Sequence, residues 1–369
     1  MSLPPTLTDG VVTLRAHAPE DVTGVWEQCQ DLLSQEWTAV PVPYSREDAE
    51  RFVNEVCPVG WLSDTEWAFA VEAEGRFAGT VSLRNEGQRR AEIAYGAHPW
   101  ARGTGHLERA LRLLLEHGFA DHDLTTVIWW AREGNWASRR LAWKVGIEVE
   151  GAVRRWVTQR GESHPSWVGT LLREDPREPR SPWLDCPVLV EDGVRLRPIV
   201  AADAPRIQEA CSEARTQHWL GQLPTPYTLD DALAYVESRT VQLAEGTGVT
   251  WAVTAPEDDE LLATIGWFNH TEGAECEVGY WTHPDARGRG LMTRATGVVV
   301  RHVVATLGVM RVTAFAAAGN TASRRVIEAN GFTQFGTERL GIRLRNGRAD
   351  MALYDVLAAE VPPLAGLRR

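Results

Sequence analysis

Three β-like runs, at about 66–73, 77–84 and 90–97, carry the apolar spacing of strands on one core. The same three-run meander returns over 249–255, 261–269 and 274–281. Glu74-Gly75 and Glu272-Gly273 supply turns within the two meanders. Ahead of each lies a short strand (Val11–Arg15; Val194–Arg197) and a helix with an acidic start (Pro19-Glu20-Asp21; Ala202-Asp203). A second helix opens at Ser45-Arg46-Glu47-Asp48 and at Thr228-Leu229-Asp230-Asp231, both of the Ser/Thr-x-x-acid form that caps a helix start. After each meander come an Arg-Gly-x-Gly turn, a long apolar-periodic helix (about 104–119; 289–306) and a strand (125–131; 310–317). A helix (135–145; 320–330) and a closing hairpin (about 148–172; 333–357) complete the pattern. The sequence predicts an α/β fold with a mixed sheet, built twice.

Residue identities repeat along with the pattern. Glu92-Ile93-Ala94-Tyr95 aligns with Glu277-Val278-Gly279-Tyr280, and Ala101 through Gly105 with Ala286 through Gly290. Asn135, Ser138, Arg139 and Arg140 align with Asn320, Ser323, Arg324 and Arg325 at one offset of 185, which Gly146 and Gly331 keep. Residues 1–175 therefore read as one domain and 187–369 as a second. Residues 176–186 read as the linker, in a polar stretch whose prolines (Pro176, Pro179, Pro182) favour extended backbone before them.

The 369 residues carry 38 Lys+Arg against 50 Asp+Glu, a net charge of −12 that argues against a nucleic-acid partner. An acidic surface suits a cationic partner such as an amine, and equally serves solubility. The five cysteines show no CxxC spacing, so neither a zinc ribbon nor a disulfide framework is expected, and no metal site is expected. No apolar run is long enough to span a membrane and the start does not read as a signal peptide, so the expected location is the cytoplasm.

A glycine-rich turn between a strand and a helix start cradles anions. Glycines let consecutive backbone N–H groups point into one concavity, and the helix dipole adds positive charge. Arg102 and Arg287 bring a cation to each turn. The third glycine of a dinucleotide fingerprint is missing, with Glu108 and Thr293 in its place, and no Gly-Lys-Ser/Thr occurs. The cradle is therefore expected to hold a diphosphate outside a dinucleotide fold or an ATPase.

Glu277-Val278-Gly279-Tyr280-Trp281, then His283-Pro284, Arg287-Gly288-Arg289-Gly290-Leu291-Met292, and Asn320-Thr321-Ala322-Ser323 through Gly331-Phe332, resemble the GNAT superfamily of acetyl-CoA-dependent N-acetyltransferases. The Asn-x-x-Ser form is similar to its Rim-type branch, which acetylates ribosomal-protein N-terminal amines. The resemblance covers nearly the whole chain, twice. It implies tandem GNAT domains, each a mixed, mostly antiparallel sheet flanked by helices, with acetyl-CoA as cosubstrate. The family's turn ends in a small residue, where this chain has Leu107 and Met292.

The resemblance also implies a direct attack of an amine on the thioester. Glu277 and Glu92 would take the amine's proton through water, or are plain strand carboxylates. Backbone N–H groups around Tyr280, Trp281 and Thr282, and around Tyr95–Ala97, would meet the thioester oxygen. The family's usual general-acid Tyr is replaced by Ile327 and Ala142, and Ser323 and Ser138 would serve in the manner of the Rim-type branch. Gly288, Arg289, Gly290, Leu291 and Met292 with Arg287, and Gly103, Thr104 and Gly105 with Arg102, would hold the pyrophosphate. Asn320 and Asn135 would contact the pantetheine arm or act as helix N-caps, and Arg324 would reach a nucleotide phosphate or remain solvated. His98 and His283 read as turn residues or titrating bases.

The second copy follows the family pattern more closely and is the favoured active half, with activity in both halves the next reading and a degenerate or accessory first half the other. Eleven of the sixteen tryptophans lie in the first copy, and Trp129, Trp130 and Trp136 read as an aromatic wall of its cleft or as packing. The acceptor is a small-molecule amine or a protein N-terminal amine, without membrane or nucleic acid, in a monomer or homodimer. The alternative is a non-catalytic acyl-CoA-binding or assembly protein on a decayed scaffold, or an enzyme for another acyl group or acceptor.

Overall fold

The computed structural model describes residues 4–363 and divides into two compact units, residues 1–180 and 181–369. Unit one contains β1 (Leu7–Thr8), β2 (Val12–Arg15), β3 (Glu66–Ala73), β4 (Arg76–Gly87), β5 (Arg90–Ala97), β6 (Thr126–Arg132), β7 (Glu148–Gln159) and β8 (Glu162–Leu172). Its helices are α1 (Val22–Gln30), α2 (Leu32–Trp37), α3 (Arg46–Arg51), α4 (Cys57–Leu62), α5 (His106–Asp121) and α6 (Trp136–Lys144). Unit two contains β9 (Leu189–Glu191), β10 (Val194–Pro198), β11 (Gly248–Thr254), β12 (Ala263–Thr271), β13 (Glu275–Thr282), β14 (Arg311–Ala317), β15 (Thr333–Leu344) and β16 (Gly347–Leu357). Its helices are α7 (Ala204–Ser212), α8 (Ala214–Trp219), α9 (Leu229–Ala244), α10 (Leu291–Leu307) and α11 (Thr321–Glu328).

Each unit is one eight-stranded sheet in the same order, β1-β2-β3-β4-β5-β6-β8-β7 and β9-β10-β11-β12-β13-β14-β16-β15. Every neighbouring pair is antiparallel except β5–β6 and β13–β14. A parallel pair needs a crossover, and α5 and α10 supply it. α5 buries Ala110, Leu111, Leu114, Leu115 and Phe119 against Phe69, Val81 and Leu83 of the sheet. Each fully buried leucine contributes about 1.5–3 kcal/mol. The opposite face carries a separate apolar layer, Val22, Val25, Cys29, Tyr44, Ala49 and Val53 in unit one. The predicted caps form as boxes: Asp48 N–H donates to Ser45 Oγ at 3.1 Å and Ser45 N–H to Asp48 at 2.9 Å, with Thr228 and Asp231 repeating them.

The same ion pair ties the second strand to the first helix in both units. Arg15 meets Asp21 at 2.7 and 2.9 Å, and Arg197 meets Asp203 through two bonds of 2.8 Å. Between α3 and α4 the helix widens into a π-helical stretch at residues 52–56, just ahead of Pro58. Proline has no N–H and its ring crowds the preceding turn, so the ladder loosens there, whereas α9 runs unbroken through 16 residues. Residues 176–178 lie against Gly146, while Leu184 N–H donates to Leu243 O in unit two, so the stretch read as a linker is anchored at both ends.

Candidate functional site

The parallel strands separate soon after they meet. β5 and β6 pair from Arg90–Thr126 to Glu92–Ile128, and β13 and β14 from Glu275–Arg311 to Glu277–Thr313. Beyond these points the strands diverge into a fork. Backbone N–H groups on its near arm that face the gap have no ladder partner across it. Glu92 and Glu277 stand at the last paired position, at the root of each fork.

Strand alternation sorts the side chains by face. Cys276, Val278 and Tyr280 pack toward α10, whereas Trp281 packs on the layer formed by α7 and α9. Glu277 therefore lies on the face opposite Tyr280. The Tyr280 hydroxyl lies 3.1 Å from Ser323 O and 3.2 Å from Ser323 Oγ, joining the fork to the first turn of α11. Burial pushes the Tyr280 hydroxyl up to about 12, against the hydrogen bond to Ser323. The fork of unit two thus carries a carboxylate on one face and a linked pair of hydroxyls on the other.

Glu277 sits in a hollow of about 300 Å³ lined by Asn269, Glu275, Arg311, Thr313, Phe315 and Phe335. Arg311 bonds to Asp355 at 2.9 Å and to Glu275 at 3.1 Å, which leaves Glu277 the Asn269 amide, at 2.9 Å. Burial raises the Glu277 pKa, and the Asn269 hydrogen bond pulls the other way. A carboxylate raised in this way is a better proton acceptor than an exposed one. In unit one the position opposite Glu92 is Arg84, which binds Glu92 at 2.8 Å, where unit two has Phe268 opposite Glu277. Sequence reading treated the two glutamates alike. Strand register separates them.

At the helix starts, Gly103, Gly105, Gly288 and Gly290 all have positive φ, as the cradle requires. Neither Gly105 nor Gly290 caps its helix with a side chain, and space around Gly288 is open, which fits an anion at the exposed N–H groups. In unit one the Thr104 hydroxyl accepts the His106 N–H at 3.3 Å, occupying one donor of that cradle. Arg289 holds the matching position in unit two. Met292 is buried in the core of unit two and Leu107 packs against the core of unit one, so neither blocks its cradle mouth.

The cradle arginines turn toward the short helices. Arg102 bonds to Asp31 at 2.5 Å and Ser34 at 2.9 Å, and Arg287 to Glu213 at 3.0 Å and Thr216 at 2.8 Å. Although burial acts to raise it, Glu213 is held down at about 2 by Arg287 and the N–H and hydroxyl of Thr216. These guanidiniums brace the turn, and the acids they meet are N-caps of helices too short to show in the sequence. Asn135 and Asn320 cap α6 and α11, accepting from Ser138 N at 3.1 Å and Ser323 N at 3.2 Å. Arg324 donates to the Tyr354 hydroxyl at 2.7 Å.

Trp129 does not line an open wall. It is 1% exposed, and its indole N–H lies 2.9 Å from the Tyr95 hydroxyl and 3.3 Å from Ser138 Oγ. Trp136 lies 4.6 Å from Trp167, with the Arg139 guanidinium over both rings. His283 is fully buried with Nε2 3.5 Å from Glu209, and Asp285 is nearby. Their donor atoms cluster as a metal site's would, a grouping invisible in the sequence because Glu209 is remote in the chain. Arg206 reaches both carboxylates, at 3.0 and 3.5 Å, and already supplies the positive charge there. Among the described residues all five cysteines are free thiols, and no helix is long and apolar enough to cross a membrane.

Residues 12–148 and 194–333 each match the acetyltransferase (GNAT) domain family. The curated relatives match one half of the chain at a time. "Uncharacterized N-acetyltransferase YoaA" of Bacillus subtilis is 24% identical over 172 residues, 46% of this chain and 97% of the relative. "Putative ribosomal N-acetyltransferase YdaF" of the same organism is 26% identical over 175 residues, 46% of this chain and 94% of the relative. Among solved structures, Mycobacterium smegmatis RimJ in complex with CoA-disulfide aligns with a TM-score of 0.44 at 22% identity, covering 49% of this chain and 90% of its own.

Proposed function

Because the chain belongs to the GNAT acetyltransferase family, we propose that it transfers an acetyl group from acetyl-CoA to a primary amine, in the fork of unit two. The acceptor is a small-molecule amine or a protein N-terminal amine, the latter in keeping with the name of YdaF. The reading rests on one observation above all: Glu277 on one face of the β13–β14 fork and the Tyr280–Ser323 hydroxyl pair on the other.

Each group then has one task. Glu277, raised by burial, accepts a proton from the ammonium so that the neutral nitrogen attacks the thioester carbon. Unpaired N–H groups of β13 beyond Glu277 receive the oxygen as it gains charge. A C–N bond forms and the C–S bond breaks. Ser323 Oγ–H protonates the departing sulfur, the Tyr280 hydroxyl restores the Ser323 proton, and the second proton, shed by the nitrogen as it becomes an amide, returns to Tyr280 through solvent. The uncapped start of α10, with Gly288 and Gly290, holds the pyrophosphate, so the reacting carbon is fixed at the fork.

The test is release of free CoA thiol across a panel of amines, including peptide N-termini. Activity that vanishes in Glu277→Gln while CoA binding persists supports the reading. Binding of acetyl-CoA with no release against any amine supports the non-catalytic alternative instead.

A further inference from the structure

Unit one has the fork, the cradle, the glutamate and the Tyr–Ser pair, yet the space between its strand arms is filled by its own side chains. Trp129 enters from β6. Its indole N–H is within hydrogen-bond distance of both the β5 tyrosine and the α6 serine, Tyr95 Oη at 2.9 Å and Ser138 Oγ at 3.3 Å. The indole therefore bridges the two arms at the depth where Tyr280 and Ser323 meet in unit two. Trp129 and Ala131 belong to the core cluster that Tyr95 packs against, so the ring lies on the α5 face, the face of the cradle.

The offset of 185 puts Ala314 at the Trp129 position of unit two. Strand pairing confirms the equivalence: Trp129 faces Gly169 and Ala131 faces Trp167, as Ala314 faces Tyr354 and Ala316 faces Ala352. Trp136 and Trp167, whose rings meet at a tilt of 53°, correspond to Thr321 and Ala352. The fully buried Tyr354 opposite Ala314 bonds Arg324 and Glu328 of α11 instead of Tyr280 and Ser323, and an alanine methyl cannot reach that hydroxyl pair as the Trp129 indole reaches Tyr95 and Ser138.

We propose that unit one holds a latent acyl-CoA site, kept shut by the Trp129 indole in the path of the pantetheine arm, so that the chain binds one acyl-CoA, in unit two. Trp129 acts as a built-in occupant: its indole makes the hydrogen bonds and packing that a thioester arm would otherwise make with Tyr95 and Ser138. Glu92 is silenced separately by Arg84, so opening the fork restores binding without restoring a proton acceptor. This inference rests on the cosubstrate reading of the unit-two fork.

Calorimetric titration of the full chain with CoA tests it through stoichiometry. Wild type is expected to bind one CoA per chain, and Trp129→Ala two, with thiol release per chain unchanged. Ala314→Trp, the reciprocal change, is expected to bind none, which covers the case in which Trp129→Ala unfolds unit one. Two CoA per wild-type chain would overturn the shut site while leaving the cosubstrate reading intact. So would a single CoA in a folded Trp129→Ala chain, or retained binding in Ala314→Trp. No CoA bound by either wild type or Trp129→Ala would overturn the cosubstrate reading and the latent site together.

Discussion

Unit one and unit two share a sheet order, a fork, a cradle and even the arginine–aspartate tie behind the second strand, and they diverge where a reaction would take place. In unit one Glu92 is held by Arg84 and the fork is closed by Trp129. In unit two Glu277 faces Phe268 and Asn269, and Ala314 stands where unit one has Trp129. Both scaffolds stabilise themselves: the α5 and α10 faces bury matching apolar rows. Filling a cleft with an indole adds buried apolar area, which stabilises the unit that carries it.

The glutamates give the largest contrast. Glu277→Gln removes the proton acceptor, and kcat for thiol release should fall about 10²- to 10⁴-fold. Glu92→Gln removes half of an exposed ion pair with Arg84 and should leave kcat within about twofold, since such pairs are worth at most about 1 kcal/mol. Equal losses in the two variants would erase the distinction between the units. Trp129→Ala comes next. It deletes a buried ring and should destabilise unit one by about 3–5 kcal/mol, read as a lower midpoint for one of two transitions in denaturant.

The hydroxyls should matter less. Ser323→Ala removes one donor toward the leaving sulfur, and a hydrogen bond of about 1 kcal/mol corresponds to a loss of up to roughly tenfold in kcat. Ser138→Ala, beneath the Trp129 indole, should leave kcat unchanged and lower only the stability of unit one. A loss of rate in Ser138→Ala would mean that unit one takes part in the chemistry.

Much of this contrast is written in the sequence, and some of it is not. The offset of 185 and the periodicities carry the duplicated α/β fold, because apolar spacing and caps are local signals. β1 and β9, of two and three residues, are too short to carry a period, and α2 and α8 are single turns and a half set by one N-cap each. The partners of Arg102 and Arg287 lie about 70 residues away, so the bracing of the cradle was not legible. Trp129 shows the limit most clearly. Alternation tells which face a side chain takes, not how far it reaches across a gap, so an indole that closes the fork reads like one that lines it. The substitution of tryptophan by alanine at the same offset was the available signal. Likewise Arg84 against Phe268 becomes decisive only once register sets each opposite its glutamate.

The smallest effect tests the electrostatics directly. Burial raises the Glu277 pKa and the Asn269 amide lowers it, by favouring the charged form. Asn269→Leu removes the lowering contribution and keeps the burial, so the Glu277 pKa must rise further. A base works only when deprotonated. The acidic limb of kcat/KM should therefore move to higher pH, by up to about one unit for a hydrogen bond of about 1 kcal/mol. Rates on the alkaline plateau should stay the same, because Glu277 is ionised there in both proteins. Arg84→Leu changes the surroundings of Glu92 instead and should leave the limb where it is. A limb that moves with Arg84 and not with Asn269 would place the working carboxylate in unit one.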